Sequence, residues 1–96
     1  MDDKMRLNAQ IVLNQARANL QQLQRVKIGT VNQQVRENIN GLVKQANEVL
    51  KAMNVEMTIQ SLSAGSSLIE ALNVLANIEG ALDAVLASQG PTSFVA

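Results

Sequence analysis

The chain reads as an all-α protein: a three-helix bundle built from an αα-hairpin plus a third helix, or a more extended set of coiled-coil-like helices, with one short extended linker. Three observations predict this. Apolar residues recur at steps of three and four in three separate runs. Glycine, serine and threonine punctuate the breaks between the runs. The apolar content, 47% of the chain, is almost wholly aliphatic, with Phe94 the single aromatic, which suits long helix seams. At 96 residues there is room for one domain, residues 1–90, followed by a tail, 91–96.

The first run, residues 3 to about 28, places Ala9, Val12 or Leu13, Ala16, Leu20, Leu23 and Val26 on one stripe among strong helix formers. Asp2 or Asp3 is expected to cap its amides, and Gly29 to end it in a left-handed conformation. Thr30-Val31-Asn32-Gln33 then reads as a T-x-x-Q capping box opening a second helix, 31–53. Val31, Val35, Ile39, Leu42, Ala46, Val49 and Met53 form its near-heptad seam, where a charge at Leu42 or Val49 is expected to unfold the protein. With so short a break between the runs, an antiparallel hairpin is the simplest geometry and a bent rod its competitor.

From residue 54 to 66 the period changes. Val55, Met57 and Ile59 alternate with polar residues, the mark of a half-buried extended segment, read either as a loop covering the bundle or as an arm pairing with a neighbouring subunit. Ser67-Leu68-Ile69-Glu70 is a second capping box, and Leu68, Leu72, Leu75, Ile78, Leu82, Val85 and Leu86 carry a third helix, 67–88, which Gly90-Pro91 ends. Matched helix lengths favour an up-down-up arrangement. Gly41 and Gly80 fall inside helices at a cost of roughly 1 kcal/mol each, which close approach of a neighbouring helix is expected to offset.

Composition removes most chemistry. Without His, Cys or Tyr, the common metal ligand sets and the usual acid, base and nucleophile groups are missing. No phosphate-binding loop, dinucleotide fingerprint or nucleophile elbow is present. The expectation is a protein with no enzymatic activity, cofactor or metal. Glu79 and Asp83, four residues apart, share a face and invite a cation, but with no third ligand they read as a solvated acidic face.

Net charge is zero, yet all eight bases precede position 52, so residues 1–53 carry +4 and the remainder −4. The halves are expected to attract, inside one bundle or head to tail between copies. Six bases between Lys4 and Arg36 lie without an acid among them, and Arg6 and Arg17 project to nearly the same face. Arg25 and Lys27 diverge from it, and no aromatic is at hand for base stacking, so nucleic acid is not expected. Ten Asn and ten Gln hint that even the polar side of the helices makes contacts.

The expected function is therefore a structural or interaction subunit of a helical homo-oligomer, such as a virion, tail or ejection, or secretion-apparatus component. Its partners would be copies of itself and other assembly proteins, with Val55, Met57, Ile59, Glu79, Asp83, Arg6 and Arg17 as interaction residues. Two alternatives are a membrane-active or pore-forming oligomer and a small helical adaptor. No stretch reaches 18 charge-free apolar residues, so membrane contact is not the favoured reading. The acidic opening Met1-Asp2-Asp3-Lys4 lacks a signal peptide's apolar region, and the sequence leaves the compartment open, a virion or an exported assembly being the setting that the structural reading would suit.

Overall fold

A computed structural model describes residues 3–27 and 29–89. They form three α-helices: α1 (Asp3–Leu23), α2 (Gln33–Ala52) and α3 (Leu68–Gln89). No strand forms among the described residues, and a single antiparallel bridge joins Thr30 to Ser67. The expected caps at Asp2 and Gly90-Pro91 and the tail 91–96 lie outside the described residues.

The buried face of α1 is Ala9, Val12, Leu13 and Ala16, and the same pattern recurs in α2 as Ile39, Leu42, Val43 and Ala46, each thirty residues further on. Ala71, Leu75, Ile78, Leu82 and Val85 supply the third wall at steps of four and three. Apart from Ala9, these residues form one aliphatic core, which Ile59 and Leu62 of the linker also enter. No buried polar side-chain atom among the described residues lacks a hydrogen-bond partner.

Two helix boundaries differ from the sequence reading. Helix α1 stops at Leu23 rather than near 28, because its last turn tightens: Arg25 N–H donates to Gln22 O (3.2 Å) and Val26 N–H to Leu23 O (3.0 Å), both one residue short of the α pattern. Val26 keeps its place against the core from this turn, so its apolar periodicity is real but not helical. The start of α2 shifts as well. Asn32, not Thr30, is the cap, its Oδ1 accepting from Val35 N–H at 2.9 Å. Thr30 is drawn instead into the bridge with Ser67, where Leu68 N–H donates to Gly29 O (3.0 Å) and Val31 N–H to Ser66 O (3.3 Å).

That bridge fixes the topology. Helix α1 runs antiparallel to α2, since Met5 and Asn8 line one groove with Val49 and Ala52. The starts of α2 and α3, however, meet at the Thr30–Ser67 bridge, so both helices leave from the same end. The linker returns along α2 before α3 begins, and the arrangement is up-down-down, not up-down-up. A parallel α2–α3 pair needs a crossover longer than a tight turn, and the extended segment supplies it.

The turn out of α2 is a Schellman motif: Val55 N–H donates to Leu50 O (2.9 Å) and Asn54 N–H to Lys51 O (3.0 Å), with Asn54 at φ 60°. The second capping box is present as read. Ser67 Oγ accepts from Glu70 N–H at 3.1 Å, and Glu70 Oε1 reaches back to Ser67 N–H at 3.5 Å. Ser67→Ala is expected to cost about 1 kcal/mol, which thermal unfolding would register as a Tm lower by roughly 4–8 °C. An unchanged Tm would show that the bridge alone holds the start of α3.

Gly41 and Gly80 narrow the expectation of a closely approaching helix to one from another molecule. Both face open space, with nothing among the described residues within 4 Å of where a Cβ would stand. No helix of this chain approaches them closely, so packing inside the bundle does not offset their cost.

Candidate functional site

Two side-chain constellations hold the three helices and the linker in place, and both lie on the polar flanks of the apolar seams. The first is an ion cluster. Arg17 of α1 donates from Nε to Glu79 Oε2 at 3.0 Å, and from Nη2 to Asp83 Oδ1 at 2.9 Å and Oδ2 at 3.1 Å. Glu79 and Asp83 share a face of α3 because they stand one helical turn apart, so one guanidinium fork spans both. The hydrogen bond with Glu79 and the nearby negative charges raise the Arg17 pKa above its ordinary value, against a smaller opposing effect of desolvation. A raised pKa keeps the cation's contribution complete below the ordinary guanidinium range, with loss only at strongly alkaline pH. The cluster therefore adds no pH dependence near neutrality through Arg17. All three side chains remain partly exposed, so the cluster orients α1 on α3 more than it stabilises them.

This placement changes how the acidic pair is read. Glu79 and Asp83 are neither a bare solvated face nor a cation site: they meet an arginine sixty-two and sixty-six residues away in sequence. Part of the attraction between the basic and acidic halves is thus realised inside one chain. Among the described residues no three His, Cys, Asp or Glu side chains gather in a metal-binding group.

The second constellation has no counterpart among the residues that periodicity and charge point to. Asn47 donates from Nδ2 to Ile59 O at 2.9 Å while its Oδ1 accepts from Ile59 N–H at 2.8 Å. Asn40, two turns earlier, repeats the pattern on Leu62, at 3.0 Å and 2.7 Å. Each carboxamide thus completes the pairing of one linker residue as a neighbouring strand would. The two spacings agree. Seven residues of helix rise about 10.5 Å and three extended residues about 10 Å. The order is reversed, 47 with 59 and 40 with 62, so the linker, hereafter the strap, runs antiparallel to α2.

Arg17 and Asn47 occupy equivalent positions, thirty residues apart in the repeated burial pattern. Arg17 fastens α3 to α1, and Asn47 fastens the strap to α2. The remaining interaction residues are dispersed. Val55 is half-buried, Ile59 is 6% exposed within the chain's own core, and Met57 is 52% exposed. The strict alternation expected there fails because Met57 N–H donates to Val55 O (3.0 Å), a three-residue turn that re-aims the chain before Ile59. Arg6 lies three turns before Arg17 on α1, half-buried and outside the ion cluster.

The amide-rich composition was the available signal for the strap site, since Asn40, Asn47 and Asn54 stand at an unbroken step of seven. Among the described residues no helix is long and apolar enough to cross a membrane. Compared with protein families, curated proteins and solved structures, the chain matches none.

Proposed function

We propose that this chain is a non-enzymatic structural subunit that packs against copies of itself, in a helical assembly of the kind used in virions, tail or ejection machinery, or secretion apparatus. The observation that carries the reading is the outward side of α3. Ile69 is 69% exposed there, and Ala76, Gly80, Ala84 and Ala87 are exposed beyond it. A surface helix ordinarily turns polar residues to solvent, whereas this one carries an exposed stripe of aliphatic and small residues, interrupted by Asn73 and flanked by Glu70, Asn77 and Asp83. Gly80 costs its helix roughly 1 kcal/mol relative to Ala without any contact of its own chain to require it. A closely packed neighbour supplies the missing reason. Leu7, Ile11 and Met57 add exposed apolar side chains elsewhere on the surface.

Sedimentation velocity over a concentration series tests this. The wild type is expected to sediment as more than one chain, and Ile69→Glu to shift it toward the single chain. Glutamate in the first turn of α3 suits the helix dipole, so the fold itself should not suffer. A wild type that stays a single chain throughout the series would overturn the reading.

A further inference from the structure

The Asn40–Asn47 pair is a built site for extended main chain, and neither amide reads a side chain. Four hydrogen bonds of 2.7–3.0 Å engage only the N–H and C=O groups of Ile59 and Leu62, while those two side chains enter the core. The same atoms would be offered by residues 59–62 of any copy of this chain. The strap reaches its own α2 only through a tight reversal. Asn54 is held at φ 60°, in the left-handed region that an L-residue enters at a cost, and the Val55–Met57 turn follows immediately. Short hinges under strain favour exchange of the segment beyond them, because the partner restores the interactions given up within the chain while the hinge relaxes.

We propose that the strap, with α3 behind it, is exchanged between copies, so that Asn40 and Asn47 of one chain hold residues 59–62 of the next. The proposal rests on the self-assembly reading above and names its joint. Relaxing Asn54 to negative φ gives up the two cap hydrogen bonds, Val55 N–H to Leu50 O and Asn54 N–H to Lys51 O, and frees the strap to leave its own α2, while the second copy's α2 offers the same two amides at the same spacing.

The absence of cysteine from the sequence makes the test direct. Lys44 and Ser61 are exposed and line one groove between α2 and the strap. The double variant Lys44→Cys, Ser61→Cys, oxidised under assembly conditions and run on a denaturing, non-reducing gel, reports which chain each strap lies on. Exchange is expected to give covalent dimers and larger species. A cross-link confined to single chains overturns it. If the wild type still sediments as an assembly in that case, self-assembly stands and only the exchange fails; if it sediments as one chain, both fail. Asn54→Gly supplies an independent arm, since glycine accepts positive φ freely and leaves the seating hydrogen bonds intact. The ratio of intermolecular to intramolecular cross-links is expected to fall about fivefold, the effect of removing roughly 1 kcal/mol of hinge strain. An unchanged ratio would show that hinge strain does not drive the exchange.

Discussion

Replacing Leu75 with aspartate is expected to abolish the folded state, leaving a chain with neither a cooperative urea transition nor a native helical signal. Leu75 is fully buried in the middle of α3, within the single cluster that joins all three helices and the strap. Truncating such a leucine to alanine already costs about 2–5 kcal/mol. Aspartate adds the penalty of a carboxylate with no partner in an aliphatic core, several kcal/mol more even after protonation. A domain of this size has only about 5–10 kcal/mol of stability in total, so the sum exceeds what is available. Val49→Asp is the matched control. Val49 belongs to the seam on which a charge is expected, from periodicity alone, to unfold the protein. It is in fact half-buried and lines the open groove between α1 and α2, where water can reach the carboxylate. Circular dichroism should show that variant folded with a lowered midpoint. Equal collapse of both would mean that the groove is closed and that the core extends through it.

The contrast between Leu75 and Val49 shows what the sequence holds and what it does not. Periodicity identifies a helix and its apolar stripe, and α3 with its Ser67–Glu70 box and the α2 seam were legible in that way. It does not say which stripe residues lie at the centre and which at the rim, because that depends on where the other helices sit. The antiparallel α1–α2 pairing was legible from the shortness of the break. The direction of α3 was not, since it is set by the Thr30–Ser67 bridge and the returning strap, both main-chain contacts between distant segments. The same bridge displaced the expected Thr30 cap by two residues. For the ion cluster, the shared face of Glu79 and Asp83 was visible, but their common partner Arg17 was not, because only the packing of α1 on α3 brings it there. Asn40 and Asn47 were hidden by their chemistry: an asparagine that serves main chain looks, in sequence, like one that serves solvent.

Their removal carries the second large effect. Asn40→Ala together with Asn47→Ala deletes four hydrogen bonds and leaves the N–H and C=O of Ile59 and Leu62 without partners beside a core their side chains still occupy. Orphaned groups of this kind cost about 1–3 kcal/mol apiece when water cannot reach them. The strap can instead lift away, which solvates them but surrenders the burial of two aliphatic side chains, each worth about 1.5–3 kcal/mol. The less costly route sets the loss, so the double variant should lose about 3–6 kcal/mol, enough to lower Tm by more than ~10 °C. The loss should be local before it is global. Hydrogen exchange at the Ile59 and Leu62 amides is expected to accelerate toward the rate of exposed peptide while the amides in the middle of α1 and α2 stay protected. This holds whether the strap lies on its own α2 or on a neighbour's, because the same amides hold it in both. Single variants should show about half the loss and faster exchange chiefly at the one residue released, Leu62 for Asn40→Ala and Ile59 for Asn47→Ala. Wild-type exchange rates at both residues in the double variant would show that burial alone seats the strap and that the two asparagines are incidental to it.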